Sequence, residues 1–178
     1  MLAILTAAEQ VLSDNPAASI EQIAAAADVA RTTVHRHFAT RDALIDALTA
    51  WADEQFRKAV DDARPETAPP LVALYEATAN VLRAKSRWPF AMNRALSTES
   101  AATTCHAEVM ERCDNLFRRA QQAGLLRPDA DLLWARRAYQ ALVEEVHRGG
   151  DAAGDVDVAA TAVVDLLLHG IGTPTARL

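Results

Sequence analysis

Residues 31–41 of this 178-residue chain hold its clearest concentration of side chains able to recognise a phosphate or a base. The segment R-T-T-V-H-R-H-F-A-T-R contains three arginines, two histidines and no acid, whereas the other residues of the first fifty carry six acids and neither arginine nor lysine. Arginine can form paired hydrogen bonds to guanine O6 and N7, and threonine can contact a thymine methyl group or a phosphate. The segment therefore predicts DNA binding. The candidate contacts are Ser19, Arg31, Thr32, Thr33, His35, Arg36, His37 and Arg41.

Two short helices are predicted to position these side chains. The first begins at Ser19, because Ser19 and Gln22 have the S-x-x-Q spacing of a capping box, and it ends at Asp28. Val34 and Phe38 are four residues apart in the second helix, so they share its buried face and leave the polar residues exposed. Two such helices joined by a tight turn form a helix-turn-helix, whose second helix enters the major groove of DNA.

The rest of the chain is predicted to be helical as well. Alanine, leucine, glutamate and arginine dominate, and no alternating run of β-branched and aromatic residues indicates a strand. The fold class is therefore all-α, with an N-terminal three-helix bundle followed by a larger helical body. Hydrophobic spacing and breaking residues predict further helices over about 2–13, 41–63, 70–85, 88–97, 99–123, 131–148 and 156–170.

Several function classes are excluded by what the sequence lacks. A net charge of −6 argues against a generally basic, non-specific nucleic-acid binder. The chain has no G-x-S-x-G, glycine-rich phosphate loop, H-E-x-x-H or paired-carboxylate motif, so we do not expect this protein to be an enzyme. His35 and His37 point to different helix faces, and no cofactor or metal is predicted. Cys105 and Cys113 would lie ~12 Å apart on one helix, too far for a disulfide.

The first residues of the chain bear on its location. The opening MLAILTAAEQVL has no basic flank, is interrupted by Glu9 and Gln10, and is too short to span a membrane. We therefore expect neither a signal peptide nor a membrane anchor. The two unpaired cysteines favour a reducing, cytoplasmic setting.

The helix-turn-helix segment resembles the TetR (tetracycline-repressor-like) family. The resemblance rests on I-A-x-x-A-x-V-x-x-x-T-x-x-x-H-F-x-x-R-x-x-L, from Ile23 to Leu44, and on a looser match at residues 124–131, G-L-L-R-P-D-A-D. Four positions depart from the usual family pattern. Asp28 replaces a glycine, Ala30 a helix-capping serine, His35 a phosphate-contacting tyrosine and Arg41 a lysine. Many relatives also carry a basic arm before the first helix, which neutralises further phosphates.

The resemblance implies an effector-responsive regulator that acts on DNA. We expect residues 1–46 to form the DNA-binding domain and residues 47–178 to bind a small-molecule effector and to form a homodimer. Such a dimer would repress transcription from a pseudo-palindromic operator and be released by the effector. The bulky residues of the body that could line an effector pocket are Tyr75, Trp88, Phe90, Met92, Met110, Phe117 and Trp134. The apolar residues of the last two helices that could form the dimer interface are Trp134, Ala138, Leu142, Val146, Val158, Ala162, Val163, Leu166 and Leu167.

Each of these interpretations has an alternative. The basic residues 31–41 could be a solvated helix of an ordinary bundle, the bulky residues could be plain core, and the terminal helices could bury each other within a monomer. For the whole chain, the alternative is a helical small-molecule-binding or redox-sensing protein whose DNA-binding head is degenerate.

Overall fold

The first four helices form the head of the molecule and its link to the body. The computed structural model describes residues 1–95, 104–150 and 154–170, and its head contains α1 (Leu2–Asp14), α2 (Ile20–Ala26) and α3 (Arg31–His37), followed by α4 (Arg41–Asp62). Ser19 precedes α2 in the predicted capping box: its Oγ accepts the Gln22 N–H at 3.3 Å, and Gln22 Oε1 accepts the Ser19 N–H at 2.8 Å. The backbone N–H groups at the start of α2 thereby gain partners.

Five further helices form the body. They are α5 (Pro70–Arg87), α6 (Pro89–Ala95), α7 (Thr104–Gln122), α8 (Leu132–Arg148) and α9 (Val156–His169). Proline occupies the first position of α5, where its missing N–H costs no intrahelical bond, and aspartates cap α8 and α9. The part of the chain that the structure describes contains helices and no strand, as the sequence predicted.

The largest difference from the predicted helices concerns α3. It runs from Arg31 to His37 and leaves out Phe38, which the sequence placed in this helix, because Phe38 is extended, with φ −137° and ψ 107°. The predicted break at residues 97–98 and the predicted helix start at residue 99 lie outside the described residues.

The hydrophobic core extends from the head into the body. A single cluster of buried side chains includes Ile4 of α1, Val34 of α3, Leu82 of α5 and Val163 of α9. Helix α4 contributes buried residues along its whole length, from Leu44 near its start to Val60 near its end. The domain boundary expected after residue 46 falls inside this continuous helix, so head and body are linked by rigid secondary structure.

Candidate DNA-binding surface and ligand cavity

The turn between α2 and α3 sets the direction in which α3 leaves the head. Val29 and Asp28 donate their backbone N–H groups to the carbonyls of Ala24 and Ala25, at 3.0 and 3.2 Å, which is the hydrogen-bond pattern of a Schellman motif. Asp28 has φ 52° and so occupies the left-handed position where glycine is favoured. Full burial of Val34 then holds α3 against the head.

The outer side of α3 presents the predicted DNA-binding residues. Most of them are exposed and Thr33 is half-buried. The exposed ones are Arg31, Thr32, His35, Arg36 and His37. Ser19 differs from this group because its hydroxyl is engaged in the capping box, which makes it a residue that shapes the head.

Arg31 is already engaged when DNA is absent. Its Nη1 lies 2.6 Å from Glu21 Oε1 on α2, and its Nε donates to His35 Nε2 at 3.1 Å. The pKa of Glu21 is lowered by hydrogen bonds from its own backbone N–H and from Ser19, and by the charge of Arg31. Glu21 therefore stays ionised, and the predicted DNA contact of Arg31 would have to compete with this ion pair.

Arg41 holds the first turn of α4 against the loop between α1 and α2. Its Nε donates to the Ala18 carbonyl at 2.9 Å, and its Nη2 donates to the Pro16 carbonyl at 2.5 Å. A guanidinium has five N–H donors, so others remain for a phosphate. Arg41 thus has a structural role that the sequence did not predict, beside the predicted phosphate contact.

Arg36 differs from both of these arginines. It makes no ion pair or hydrogen bond with any other residue in the described ranges, and its side chain is exposed near the end of α3. A guanidinium without protein partners can bind a base or phosphate without first breaking a contact. Among the three arginines of residues 31–41, Arg36 is therefore the best suited to sequence reading.

A cavity of about 750 Å³ lies in the body, among α4, α5, α7 and α8. Its volume falls within the range of small-molecule sites, roughly 300–1,000 Å³. Most of its wall is apolar and is formed by Phe56, Val60, Ala77, Val81, Met110 and Val143. Polar and charged groups line much of the remainder, and the most deeply placed charged group is Lys85, which is 1% exposed. Lys85 Nζ lies 2.9 Å from Glu144 Oε2.

Two further polar side chains on the cavity wall bear on the redox-sensor alternative. Burial raises the pKa of the Cys113 thiol to about 11, so it stays protonated at neutral pH and is a poor nucleophile. Tyr139 is held by a 2.9 Å hydrogen bond with Thr78, and burial raises its pKa as well. The side chain of Cys105 lies outside the described residues.

Glu9 connects the head to the body through buried hydrogen bonds. It lies on α1 and is 3% exposed, and its two carboxylate oxygens accept the backbone N–H groups of Phe90 and Ala91 at 2.7 and 3.0 Å. Ser13 donates a further hydrogen bond to it. Because Phe90 and Ala91 lie in the first turn of α6, Glu9 caps a body helix from the head.

The last two helices leave part of their surface without a partner in the protomer. Trp134 on α8 is 70% exposed and Val158 on α9 is 65% exposed. Ala162 is exposed, and four other predicted interface residues are half-buried: Ala138, Leu142, Val146 and Leu166. Val163 is a correction, because it is 0% exposed within the protomer's own core and so cannot lie on an outer surface. Leu167 packs partly against the second buried cluster.

Comparisons with known proteins agree with this architecture. Residues 4–48 match the model of the family described as "Bacterial regulatory proteins, tetR family". The chain is 30% identical over 153 residues to the HTH-type transcriptional repressor LfrR of Mycolicibacterium smegmatis, with 86% of this chain and 78% of LfrR covered. The chain belongs to the TetR family.

Solved structures of TetR-like regulators share the fold across 96% of this chain. The complex of LfrR from Mycobacterium smegmatis with proflavine matches with a TM-score of 0.69 and 26% identity, covering 96% of each chain. The TetR-family regulator PfmR from Thermus thermophilus matches with a TM-score of 0.72 and 22% identity, covering 96% of this chain and 99% of PfmR. This TetR-family chain is thus a DNA-binding transcription regulator and not an enzyme, as the sequence predicted.

Several positions where this TetR-family member departs from the usual pattern are accommodated by its structure. Asp28 adopts the left-handed turn, and α3 forms although Ala30 gives it no side-chain cap. His35 accepts a hydrogen bond from Arg31. The helix-turn-helix is therefore intact in spite of these substitutions.

The residues predicted to line the effector pocket are not brought together. Met110 alone among them lines the large cavity. Trp88 packs against Trp51 with the two rings tilted, Met92 is fully buried in the core, and Phe90 borders a separate depression beside α1. Phe117 packs edge-on against Tyr139, Tyr75 donates to Asp165, and Trp134 is exposed on α8. Most of these bulky residues lie away from the cavity, so the size of a side chain alone did not identify the residues that line it.

Sequence reasoning missed the polar residues that matter most. Glu9, Lys85 and Glu144 could not be assigned these roles from the sequence, because the contacts between helices that define them join residues 59 to 82 positions apart. One clue was available for Glu9: it interrupts the apolar face of α1 and lies beside Ala8 and Leu12, which are buried. Within the described ranges no cluster of three potential metal ligands was found, and no helix there is long and apolar enough to cross a membrane.

Proposed function

We propose that the chain represses transcription as a homodimer that binds a pseudo-palindromic operator and is released by a small molecule. The observation that carries this proposal is the outer side of α3, where Arg36, Thr32 and His37 are exposed on a helix held by a left-handed turn. Acting on DNA implies a cytoplasmic location. The repressor LfrR, to which the chain is 30% identical, supports repression over activation.

A dimer through α8 and α9 would supply the two-fold symmetry that such an operator requires. The exposed apolar residues Trp134, which is 70% exposed, and Val158 favour it, since tryptophan is highly buried on average and is enriched at interfaces. Two recognition helices about 34–36 Å apart would then reach successive major grooves. Trp134→Glu should shift the protein to monomer in analytical ultracentrifugation. Leu71→Glu, at another exposed apolar residue of the body, is the matched control.

Release by an effector needs a physical link from the cavity to the head. Helix α4 provides one, because it begins at Arg41 in the head and contributes Phe56 and Val60 to the cavity wall. Arg41 and Phe56 are roughly 22 Å apart along the helix axis. The Glu9 contacts with α6 provide a second link. A ligand acts through these links only to the extent that it binds the DNA-bound and released states differently. The complex of LfrR with proflavine shows that a similar regulator binds a small molecule.

Fluorescence anisotropy on DNA from the chain's own upstream region tests the DNA-binding part of the proposal. Tight binding that exceeds binding to scrambled DNA and weakens steeply with salt is the expected result, because phosphate contacts release counterions. Arg36→Ala should reduce the preference for operator over scrambled DNA. Arg127→Ala, at an exposed arginine of the body, is the control. Equal binding to both DNAs at every salt concentration would contradict the proposal.

A further inference from the structure

The charged end of the 750 Å³ cavity contains a lysine that is almost completely removed from solvent. Burying an ammonium is costly unless oxygen acceptors surround it. Lys85 Nζ has two of them among the described residues, Glu144 Oε2 at 2.9 Å and Asn93 Oδ1 at 3.5 Å. The second distance is at the limit of a hydrogen bond, and an ammonium has three N–H donors. Lys85 can therefore accept a further oxygen partner.

The charges that line the cavity do not balance. Lys85, Arg136 and Arg137 are cationic, and Glu144 is the single carboxylate among the lining residues of the described chain. Asp114 pairs with Arg136 from outside the lining, whereas Arg137 forms no ion pair with the described residues. A positive charge thus remains at the cavity of a protein whose net charge is −6.

Arg136 is paired with Asp114 through its Nε, whereas its Nη1 has only weak or neutral partners. Its Nη1 donates to the Met110 thioether at 3.5 Å and to Gln140 Oε1 at 3.2 Å, and Gln140 donates to the same sulfur at 3.3 Å. The Nε–H forms no hydrogen bond within the described residues, although Asp114 Oδ1 lies 2.5 Å away as an ion-pair partner. A thioether is a poor acceptor for a guanidinium. A carboxylate or other anionic oxygen would be a much better one.

We propose that this cavity binds a small amphipathic anion. Its apolar part would lie against Phe56, Val60 and Val81, and its anionic group would lie between Arg136 and Lys85. The proposal rests on the function proposed above, and it specifies the charge of the effector. A cationic ligand is disfavoured, because Glu144 is already paired with Lys85 and the remaining charges of the lining would repel a cation.

Probes that share one apolar chain and differ in charge test the proposal on the full chain. Isothermal titration calorimetry would compare dodecanoate, dodecan-1-ol and dodecyltrimethylammonium, each below its critical micelle concentration, with proflavine as a fourth ligand. We expect dodecanoate to bind at least about tenfold more tightly than the alcohol, as charge-assisted hydrogen bonds require, and the cations to bind most weakly. Equal or tighter binding of the cations, or no binding of any probe, would overturn the proposal.

Variants locate the binding to these side chains. Arg136→Met should remove most of the preference for dodecanoate over dodecan-1-ol, while Lys58→Met, at an exposed lysine paired with Asp62, should leave it unchanged. Lys85→Met, if this variant folds, should also lose most of the preference for dodecanoate. If it does not fold, the result for Arg136→Met alone tests the proposal. Glu144→Gln should strengthen dodecanoate binding, because it frees Lys85. An unchanged preference in Arg136→Met would also overturn the proposal.

Operator binding, measured separately, distinguishes the failure of this inference from the failure of the proposed function. If proflavine or dodecyltrimethylammonium releases the operator and dodecanoate does not, the regulator function stands and the anionic effector is wrong. If dodecanoate binds in the cavity and leaves operator affinity unchanged, the cavity chemistry stands and release by this ligand class is wrong.

Discussion

The head and the body of this regulator use charged side chains in opposite ways. In the head, the basic side chains proposed to contact DNA lie on one short helix at the surface, within six residues of one another. In the body, Lys85 and Glu144 come from different helices and meet at the cavity, where Lys85 is buried. A binding surface on one helix can be predicted from a short stretch of sequence, because the helix presents neighbouring residues together. A buried ligand site depends on which distant positions the fold brings into contact.

Arg41→Ala should produce the largest change in stability, and it tests whether the head's arginines all serve recognition. Two hydrogen bonds from its guanidinium to the Ala18 and Pro16 carbonyls would be lost, and hydrogen bonds of charged groups contribute about 1.5–3 kcal/mol each. Because Arg41 is only half-buried and water can replace part of these hydrogen bonds, we expect the free energy of unfolding in urea to fall by less than their sum, roughly 2–4 kcal/mol. Arg41→Lys keeps the charge without the planar fork and should restore little of this loss. A variant of unchanged stability with weaker DNA binding would return Arg41 to the purely phosphate-binding role that the sequence predicted.

Arg36→Ala should have the next largest effect, and this effect should be on DNA affinity and not on stability. Arg36 has no partner to lose within the described protein, so the unfolding free energy should change little. A bidentate contact to a base is worth about 1–3 kcal/mol, which predicts operator affinity reduced by roughly ten- to a hundredfold. Arg36→Lys should retain binding to scrambled DNA and lose preference for the operator. If Arg36→Lys retained that preference, a phosphate contact would explain Arg36 better than a base contact.

The contacts between head and body are tested by Glu9→Ala. The substitution leaves the buried Phe90 and Ala91 N–H groups without acceptors, which should cost about 1–3 kcal/mol of unfolding free energy. It should also weaken the coupling between effector and operator binding. Thr6→Ala, on the exposed side of α1, is the control. If Glu9→Ala lost stability but kept the coupling between effector and operator binding, α4 would be the main link between the cavity and the head.

Glu9 also makes a prediction about pH. Burial raises its pKa above 4.5, even though hydrogen bonds from Phe90 and Ala91 act in the opposite direction. The folded protein then holds this proton more tightly than the unfolded chain does, so the contribution of Glu9 to stability is greatest below pH 4.5 and declines as pH rises through the raised pKa. The difference in unfolding free energy between wild type and Glu9→Gln should therefore shift against wild type as the pH rises from 4.5 through the raised pKa of Glu9. A difference that rises with pH would show that the hydrogen bonds outweigh burial.

How much the sequence could predict follows the same division between head and body. The Ser19 capping box, the tight turn at Asp28 and the burial of Val34 all depend on residues close in sequence, and each was predicted correctly. The nine helices also followed from spacing and breaking residues in the described ranges. The cavity could not be predicted in this way. A lysine is ordinarily exposed, and nothing near Lys85 in sequence shows that α8 supplies its carboxylate partner.

Glu21→Gln should have the smallest effect, and it is the one substitution here expected to strengthen DNA binding. Glu21 pairs with Arg31 at 2.6 Å and also places a negative charge beside the surface that DNA must approach. The two side chains are 50% and 61% exposed, so their pairing is worth at most about 1 kcal/mol and the gain in operator affinity should be roughly two- to fivefold. Because screening weakens exposed pairs, the gain should shrink as salt concentration rises. Glu54→Gln, which breaks an exposed ion pair in the body half of α4, should give no gain. If Glu21→Gln instead weakened binding, Glu21 would be positioning Arg31 for DNA, and pairing within the head would be part of recognition and not a competitor to it.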